Sequence, residues 1–187
     1  MNRTDIELVT DYINGDEQAL NFLIKRYTQN VYYFVYRLSG SGRDSEDIVQ
    51  DVFVKVWKNI DKYDAKQNFR TWLFTIARNT TIDWLRKKKH VPLSSFDSDE
   101  GDNIISDTAK DNELLPDELA EKADDKMFVE KILQTLSPEN REILFLHYNE
   151  ELTFDEIGKI LRKPLHTVKS QHRRALLSLR DKIGTKN

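Results

Sequence analysis

Between Ala19 and Leu38 apolar side chains return at steps of three and four: Leu20, Leu23, Ile24, Tyr27, Val31, Phe34, Val35 and Leu38. That period is one face of an α-helix and predicts a long amphipathic helix. Ser39-Gly40-Ser41-Gly42 breaks it, and Asp44 or Ser45 is placed to cap a second helix. Its apolar positions are Ile48, Val52, Phe53, Val56, Trp57 and Ile60. A polar loop from Asp61 to Asn68 leads into a third helix from Phe69 through Arg86, with Leu73, Ile76, Ala77 and Thr80 turned inward. The Tyr and Phe residues between Phe22 and Tyr36, together with Trp72 and Trp84, are expected to fill the core. No alternating strand pattern interrupts this half.

From Val91 to about Asp124 the period dissolves into Ser, Asp, Glu and Asn, punctuated by Pro92, Gly101 and Pro116. Too little apolar surface is present there to offset the ordering entropy, which predicts a flexible tether. Periodicity resumes with Met127, Val129, Ile132, Leu133 and Leu136. Ser137-Pro138-Glu139 then opens a helix, with a Ser cap and a Pro in its first turn, that buries Ile143, Leu144 and Leu146. The expected architecture is all-α: a helical domain over 1–90, an acidic linker over 91–124 and a second helical domain over 125–187.

Composition excludes several chemistries. The 187 residues contain no Cys, so disulfides, thiolate nucleophiles, Cys-based zinc sites and iron–sulfur clusters are absent. No apolar run approaches membrane-spanning length and the first residues lack a signal core, so a reducing cytoplasm is expected. There is no phosphate-cradling Gly-rich loop with Lys, no His-Glu-x-x-His and no Gly-x-Ser-x-Gly. The four His are scattered, and His166 and His172, six residues apart, face different sides of a helix. An enzyme, a metal site, a cofactor and a small-molecule substrate are therefore not expected.

The net charge of −3 hides an uneven distribution. Residues 1–90 carry 15 basic and 12 acidic side chains, 91–125 carry 2 and 12, and 126–187 carry 12 and 8. Eight Lys or Arg and a single acid, Asp181, fall within 162–186. An acidic tether between two basic domains points to a nucleic-acid partner.

Two motifs give that partner its chemistry. Thr153-Phe154-Asp155-Glu156 has the spacing of a capping box, followed by the apolar stripe Ile157, Gly158, Ile160 and Leu161. Arg162-Lys163 breaks the chain, and Pro164 suits the start of a longer helix whose apolar side is Leu165, Val168, Ala175, Leu176, Leu179 and Ile183. This is a helix-turn-helix, with Gly158 expected where its helices cross. A polar helix face is ordinarily just solvated. Here the basic excess makes His166, Lys169, Ser170 and Arg173, at spacings of three and four, candidates for base edges, with Arg174 and Arg180 on phosphates. In the first domain, Asn68 to Lys89 interleaves aromatics with basic and amide side chains and leaves Asn79, Asp83 and Arg86 on one outer face. Such a face can hold an unstacked base.

The run Asp44 to Trp57, the helix from Phe69 to Arg86 and the later Thr167-Val168-Lys169-Ser170-Gln171-His172-Arg173-Arg174-Ala175 together resemble the extracytoplasmic-function (group 4) sigma factors of the sigma-70 family. The resemblance covers nearly the whole chain outside the linker. It implies a promoter-specificity subunit that binds core RNA polymerase through its beta and beta-prime subunits, recognises promoter DNA and is held in check by an anti-sigma factor. On the family's pattern, Asp47, Gln50, Asp51, Phe53 and Trp57 meet polymerase. Tyr63 to Asn68, Asn79, Asp83 and Arg86 meet the non-template strand of the minus-ten element, and His166, Thr167, Lys169, Ser170, Arg173 and Arg174 meet the minus-thirty-five duplex. Three positions depart from the pattern. Leu161-Arg162-Lys163-Pro164 stands where relatives carry Leu-Gly-Ile-Ser, so a left-handed turn must form without glycine; His166 replaces a small residue, and Gln171 a basic one. A dimeric helix-turn-helix repressor or a response-regulator output domain would suit 126–187 alone, but leaves the first 90 residues unexplained.

Overall fold

The computed structural model describes residues 3–90 and 135–184. The expected tether and the periodic stretch Met127 to Leu133 lie outside the described residues. Four α-helices form the first module: α1 (Asp5–Ile13), α2 (Glu17–Ser39), α3 (Gly42–Asn59) and α4 (Phe69–His90), with a 3₁₀ turn at Ile60–Lys62. Three form the second: α5 (Pro138–Tyr148), α6 (Phe154–Leu161) and α7 (Leu165–Gly184). No strand occurs among the described residues, in keeping with the all-α expectation.

Local chemistry accounts for the boundaries. The first helix was not anticipated, yet Thr4 accepts the Glu7 amide while the Glu7 carboxylate takes the Thr4 amide at 2.6 Å, a complete capping box. Leu8 and Val9 then bury beneath it. The cap of α3 is Ser41 rather than Asp44 or Ser45. Ser45 is fully buried and spends its hydroxyl on the Ser41 carbonyl at 2.6 Å. Gly40 closes α2 in the left-handed conformation that its missing Cβ permits. In the second module Ser137 caps α5 and Thr153 with Glu156 boxes α6, as their spacing predicts.

The first core gathers Leu23, Val31, Phe34, Ile48, Val52, Val56, Leu73 and Phe74, all at most 2% exposed. The aromatic crowd of α2 is only partly in it. Tyr27 and Phe34 are buried, whereas Phe22, Tyr33 and Tyr36 are exposed. Trp72 and Trp84 pack against the core from its edge. On α7 Val168 and Ala175 are buried and Leu179 packs beside them, but Leu165 and Leu176 stand exposed, against the expected apolar side.

The two modules share one continuous core. Phe145 of α5 enters the first module, its ring centroid 5.8 Å from Phe34 and 6.3 Å from Phe74, which themselves meet edge to face at 5.2 Å. The Arg37 guanidinium covers the same ring at 4.7 Å. Around this seam Asn30 donates to Glu150 at 2.9 Å, Arg70 donates to the Glu150 carbonyl at 2.9 Å, and Arg78 pairs with Glu142 at 3.4 Å. Helix α6 lies along α4.

A shared core predicts cooperative unfolding. All three Trp (Trp57, Trp72, Trp84) sit in the first module, so urea transitions followed by tryptophan fluorescence and by far-ultraviolet circular dichroism are expected to coincide. Phe145→Ala is expected to remove about 3–5 kcal/mol and to separate the two curves. Coincident curves at unchanged midpoint in the variant would rule out the seam as a stabilising contact.

Candidate nucleic-acid interface

The helix-turn-helix is set by its turn. Arg162 adopts φ 55° and ψ 45°, the left-handed conformation, without a glycine, at a cost of about 1–2 kcal/mol. Its amide and that of Lys163 return to the Lys159 and Gly158 carbonyls at 3.4 and 2.9 Å. A Cβ on Gly158 would stand 2.7 Å from the Lys163 carbonyl oxygen. Gly158 therefore makes room for the turn; the crossing helix is less constraining, its nearest atom being a Val168 methyl at 3.9 Å. Pro164 immediately precedes α7, and its carbonyl accepts the Thr167 and Val168 amides.

With Val168 and Ala175 anchored inward, the opposite face of α7 presents His166, Lys169, Ser170, Arg173 and Arg174 to solvent, with Thr167 at its margin. Arg174 donates to the Ser170 hydroxyl at 3.0 Å, so these two act as a unit. Gln171 turns inward and bonds Glu139. It is lost to the outer face, which explains how a basic residue can be absent there. His172 also leaves that face: it contacts the Tyr148 hydroxyl at 3.2 Å and packs among His147, Tyr148 and Phe154. Burial and the neighbouring His147 hold its imidazole below the ordinary histidine value.

A second polar face lies between α3 and α4. Lys55, Asn59, Lys62, Trp72, Ile76, Asn79 and Thr80 line an open cleft of about 320 Å³. Lys55 reaches across it to the Thr80 hydroxyl at 3.0 Å. Asn79 opens into the cleft, and Asp83 and Arg86 continue the same outer stripe of α4, joined at 4.0 Å. An amide, three cationic or amide neighbours from α3 and the 3₁₀ turn, and the Trp72 indole surround this open space. Tyr63 and Asn68 do not join it. Tyr63 is buried, meets Phe69 edge to face and Trp72 at a tilt, and spends its hydroxyl on the Gln67 carbonyl, so it shapes the loop. Asn68 caps α4 by accepting the Arg70 amide at 2.9 Å and faces Glu156 of the other module.

The outer face of α3 is different in kind. Asp47, Gln50, Asp51 and Trp57 form one exposed stripe, and Val54, 45% exposed, completes it beside Trp57 at 55%. Phe53 is half-buried against the core and lies off this stripe. Val54 follows Gln50 and Asp51 by the helical interval, and that spacing alone was enough to find it. Lys55, Asn59 and Lys62 became legible only when α3 and α4 were packed together.

The module seam carries two buried carboxylates, Glu142 at 6% and Glu150 at 1% exposure. Burial raises both above the usual carboxylate value, outweighing Arg78 at the first and Asn30 at the second. One Glu150 oxygen has no partner. Beside the seam, where Arg70 also donates to the Tyr27 hydroxyl at 3.3 Å, burial and the Asp5 carboxylate push that hydroxyl up to about 12.

The chain matches the family model Sigma-70 region 2 over residues 23–91 and Sigma-70, region 4 over residues 132–181. It is 35% identical over 173 residues to the ECF RNA polymerase sigma factor SigW of Bacillus subtilis, covering 90% of this chain and 91% of that one. The chain belongs to the ECF sigma factors. It is 31% identical to the ECF RNA polymerase sigma-E factor of Escherichia coli, over 96% of this chain and 94% of that one. Its fold is also that of the Bartonella quintana sigma factor RpoE, solved with the anti-sigma factor NepR, at a TM-score of 0.66 and 24% identity over 89% of this chain and 98% of that one. Sigma factors are transcription-initiation factors of RNA polymerase rather than enzymes. No helix among the described residues is long and apolar enough to cross a membrane.

The seam makes this sigma factor sensitive to pH. A carboxylate whose folded pKa is raised contributes stability that is present below its ordinary value near 4.5 and lost as pH rises through the folded value. His172, held low, works the other way as pH falls through the ordinary histidine value, so the two contributions are separated by comparing chains. Relative to the wild type, Glu150→Gln is expected to gain as pH rises above the ordinary carboxylate value near 4.5 and to lose that relative standing as pH falls back toward it, read from urea midpoints at each pH. A constant difference would remove the buried carboxylate from the pH response.

Proposed function

We propose that the three faces divide promoter recognition among them. The stripe Asp47, Gln50, Asp51, Val54 and Trp57 docks on the RNA polymerase core, with acids to steer and an exposed indole to anchor. The cleft beside Asn79, with Asp83 and Arg86, holds an unpaired base of the minus-ten element. Unstacking costs a few kcal/mol, which stacking on Trp72, hydrogen bonding to Asn79 and the nearby Lys55 and Lys62 charges help to offset. Lys169, Ser170, Arg173 and Arg174, flanked by His166 and Thr167, read the minus-thirty-five duplex. The observation that carries this reading is the cleft: one open space that joins the aromatic, amide and cationic groups an extruded base requires. The protein acts where the polymerase is, in the cytoplasm, and family membership together with its relative's complex supports an anti-sigma protein as a further partner.

The docked modules must part for this work. Elements centred 25 base pairs apart are roughly 85 Å apart at 3.4 Å per pair. A compact chain of this length has a radius of gyration of about 16 Å, a body roughly 40 Å across. The chain from 91 to 134 reaches at most about 145 Å when extended, enough to span the gap. Polymerase docking thus has to outweigh the seam, and the tether then keeps each weak module at high effective concentration near its element.

Run-off transcription by core polymerase on genomic fragments, with start-site mapping, tests the proposal. Added protein is expected to create new starts preceded by two common elements, and no new start would end it. Arg173→Ala is expected to weaken upstream-element binding by about 1–3 kcal/mol with polymerase association unchanged; full upstream preference in the variant would take Arg173 off the reading face. Asn79→Ala is expected to impair open-complex formation, followed by permanganate reactivity of unpaired thymines, while polymerase still co-purifies; undiminished melting would remove the cleft from the mechanism.

A further inference from the structure

The structure assigns Glu139, Lys163 and Gln171 as positioning residues that set the angle at which the recognition helix meets DNA, an assignment resting on the minus-thirty-five reading above. The three come from three separate elements: the first turn of α5, the helix-turn-helix turn, and the second turn of α7. They close a triangle. Lys163 Nζ donates to Glu139 Oε2 at 2.6 Å and to Gln171 Oε1 at 3.3 Å, and Gln171 Nε2 donates to the same Glu139 oxygen at 3.0 Å. Lys163 is held inward, its side chain 22% exposed, in a region of otherwise solvated lysines.

The triangle acts where the turn most needs help. Arg162 holds a left-handed conformation that a non-glycine residue resists, and the neighbouring Lys163 carbonyl is pressed against Gly158. A turn under that cost gains from a side-chain tether at the very next residue. Gln171 lies between Ser170 and the Arg173-Arg174 pair. Pulling its side chain toward Glu139 fixes the rotation of α7 about its own axis and so aims Lys169, Ser170 and Arg173 outward. A rotation of about 20° at a helix surface roughly 6 Å from the axis displaces those side chains by about 2 Å, enough to break a base hydrogen bond. Half-exposed ion pairs add little to folding stability, so the tether's effect belongs to orientation.

Charge makes the assignment testable, because Glu139 is an acid near a DNA-binding face. By electrostatics alone its removal favours DNA binding; as a positioning residue its removal harms specific binding. Full-length protein with core polymerase is assayed on two promoters, one with the intact upstream element and one with that element scrambled, and the ratio of initiation rates is read. Glu139→Ala and Lys163→Met are each expected to lower that ratio about 5- to 10-fold, with melting temperature and output from the scrambled promoter little changed. Lys163→Arg is expected to restore it. An unchanged or raised ratio in Glu139→Ala, or equal loss on both promoters, overturns the assignment. A wild-type ratio of one overturns the upstream reading itself and the assignment with it.

Discussion

The packing of Phe145 against the paired rings of Phe34 and Phe74 is the contact on which the arrangement of the whole molecule depends. Aromatic burial is largely non-directional, so it supplies attraction without setting an orientation. Orientation comes from the polar ring around it. Asn30 and Arg70 meet Glu150, Arg78 meets Glu142, and Glu156 faces Asn68 across the boundary of α4 and α6. Two of those carboxylates are buried at a cost, which makes the seam weaker than its apolar area alone implies. A seam of moderate strength is what a protein needs if its halves are to pack together in isolation and separate on a larger partner.

The seam leaves the working faces open. The stripe of α3, the cleft between α3 and α4 and the outer face of α7 are all solvent-accessible while the modules are docked. Asn68, which stands outside the cleft, lies against the other module. On the proposed reading, docking limits promoter recognition by distance and not by masking. On that reading each module keeps its own weak affinity in the docked form, and opening adds simultaneity, the quantity that a tether converts into avidity.

The recognition helix shows how a fold accommodates a locally unfavourable sequence. A left-handed arginine is expensive, but Gly158 yields space to the Lys163 carbonyl, and the Lys163 side chain ties the turn to Glu139 and Gln171. The glycine is absent from the turn and present beside it. A strained residue persists because several independent contacts over-determine its position.

Helices α2 to α7 were legible in the chain because their apolar residues repeat at the period of the backbone, and the caps at Ser137 and Thr153 because capping is a contact between residues three apart. The family's motifs made the stripe of α3 and the outer face of α7 legible too. Helix α1 escaped notice, although Thr4 and Glu7 carry the same capping signature as Thr153 and Glu156. What no local pattern contained was partnership between distant segments: that Tyr63 is buried and closed on its own loop, that Lys55 and Lys62 border the space into which Asn79 opens, that Gln171 turns inward toward Glu139, and that Phe145 crosses into the first module. Sequence alone fixes which face of each helix is apolar, since that depends on neighbours a few residues away. Which faces meet is decided only in the folded chain, where residues more than a hundred positions apart, such as Asn30 and Glu150, become hydrogen-bond partners.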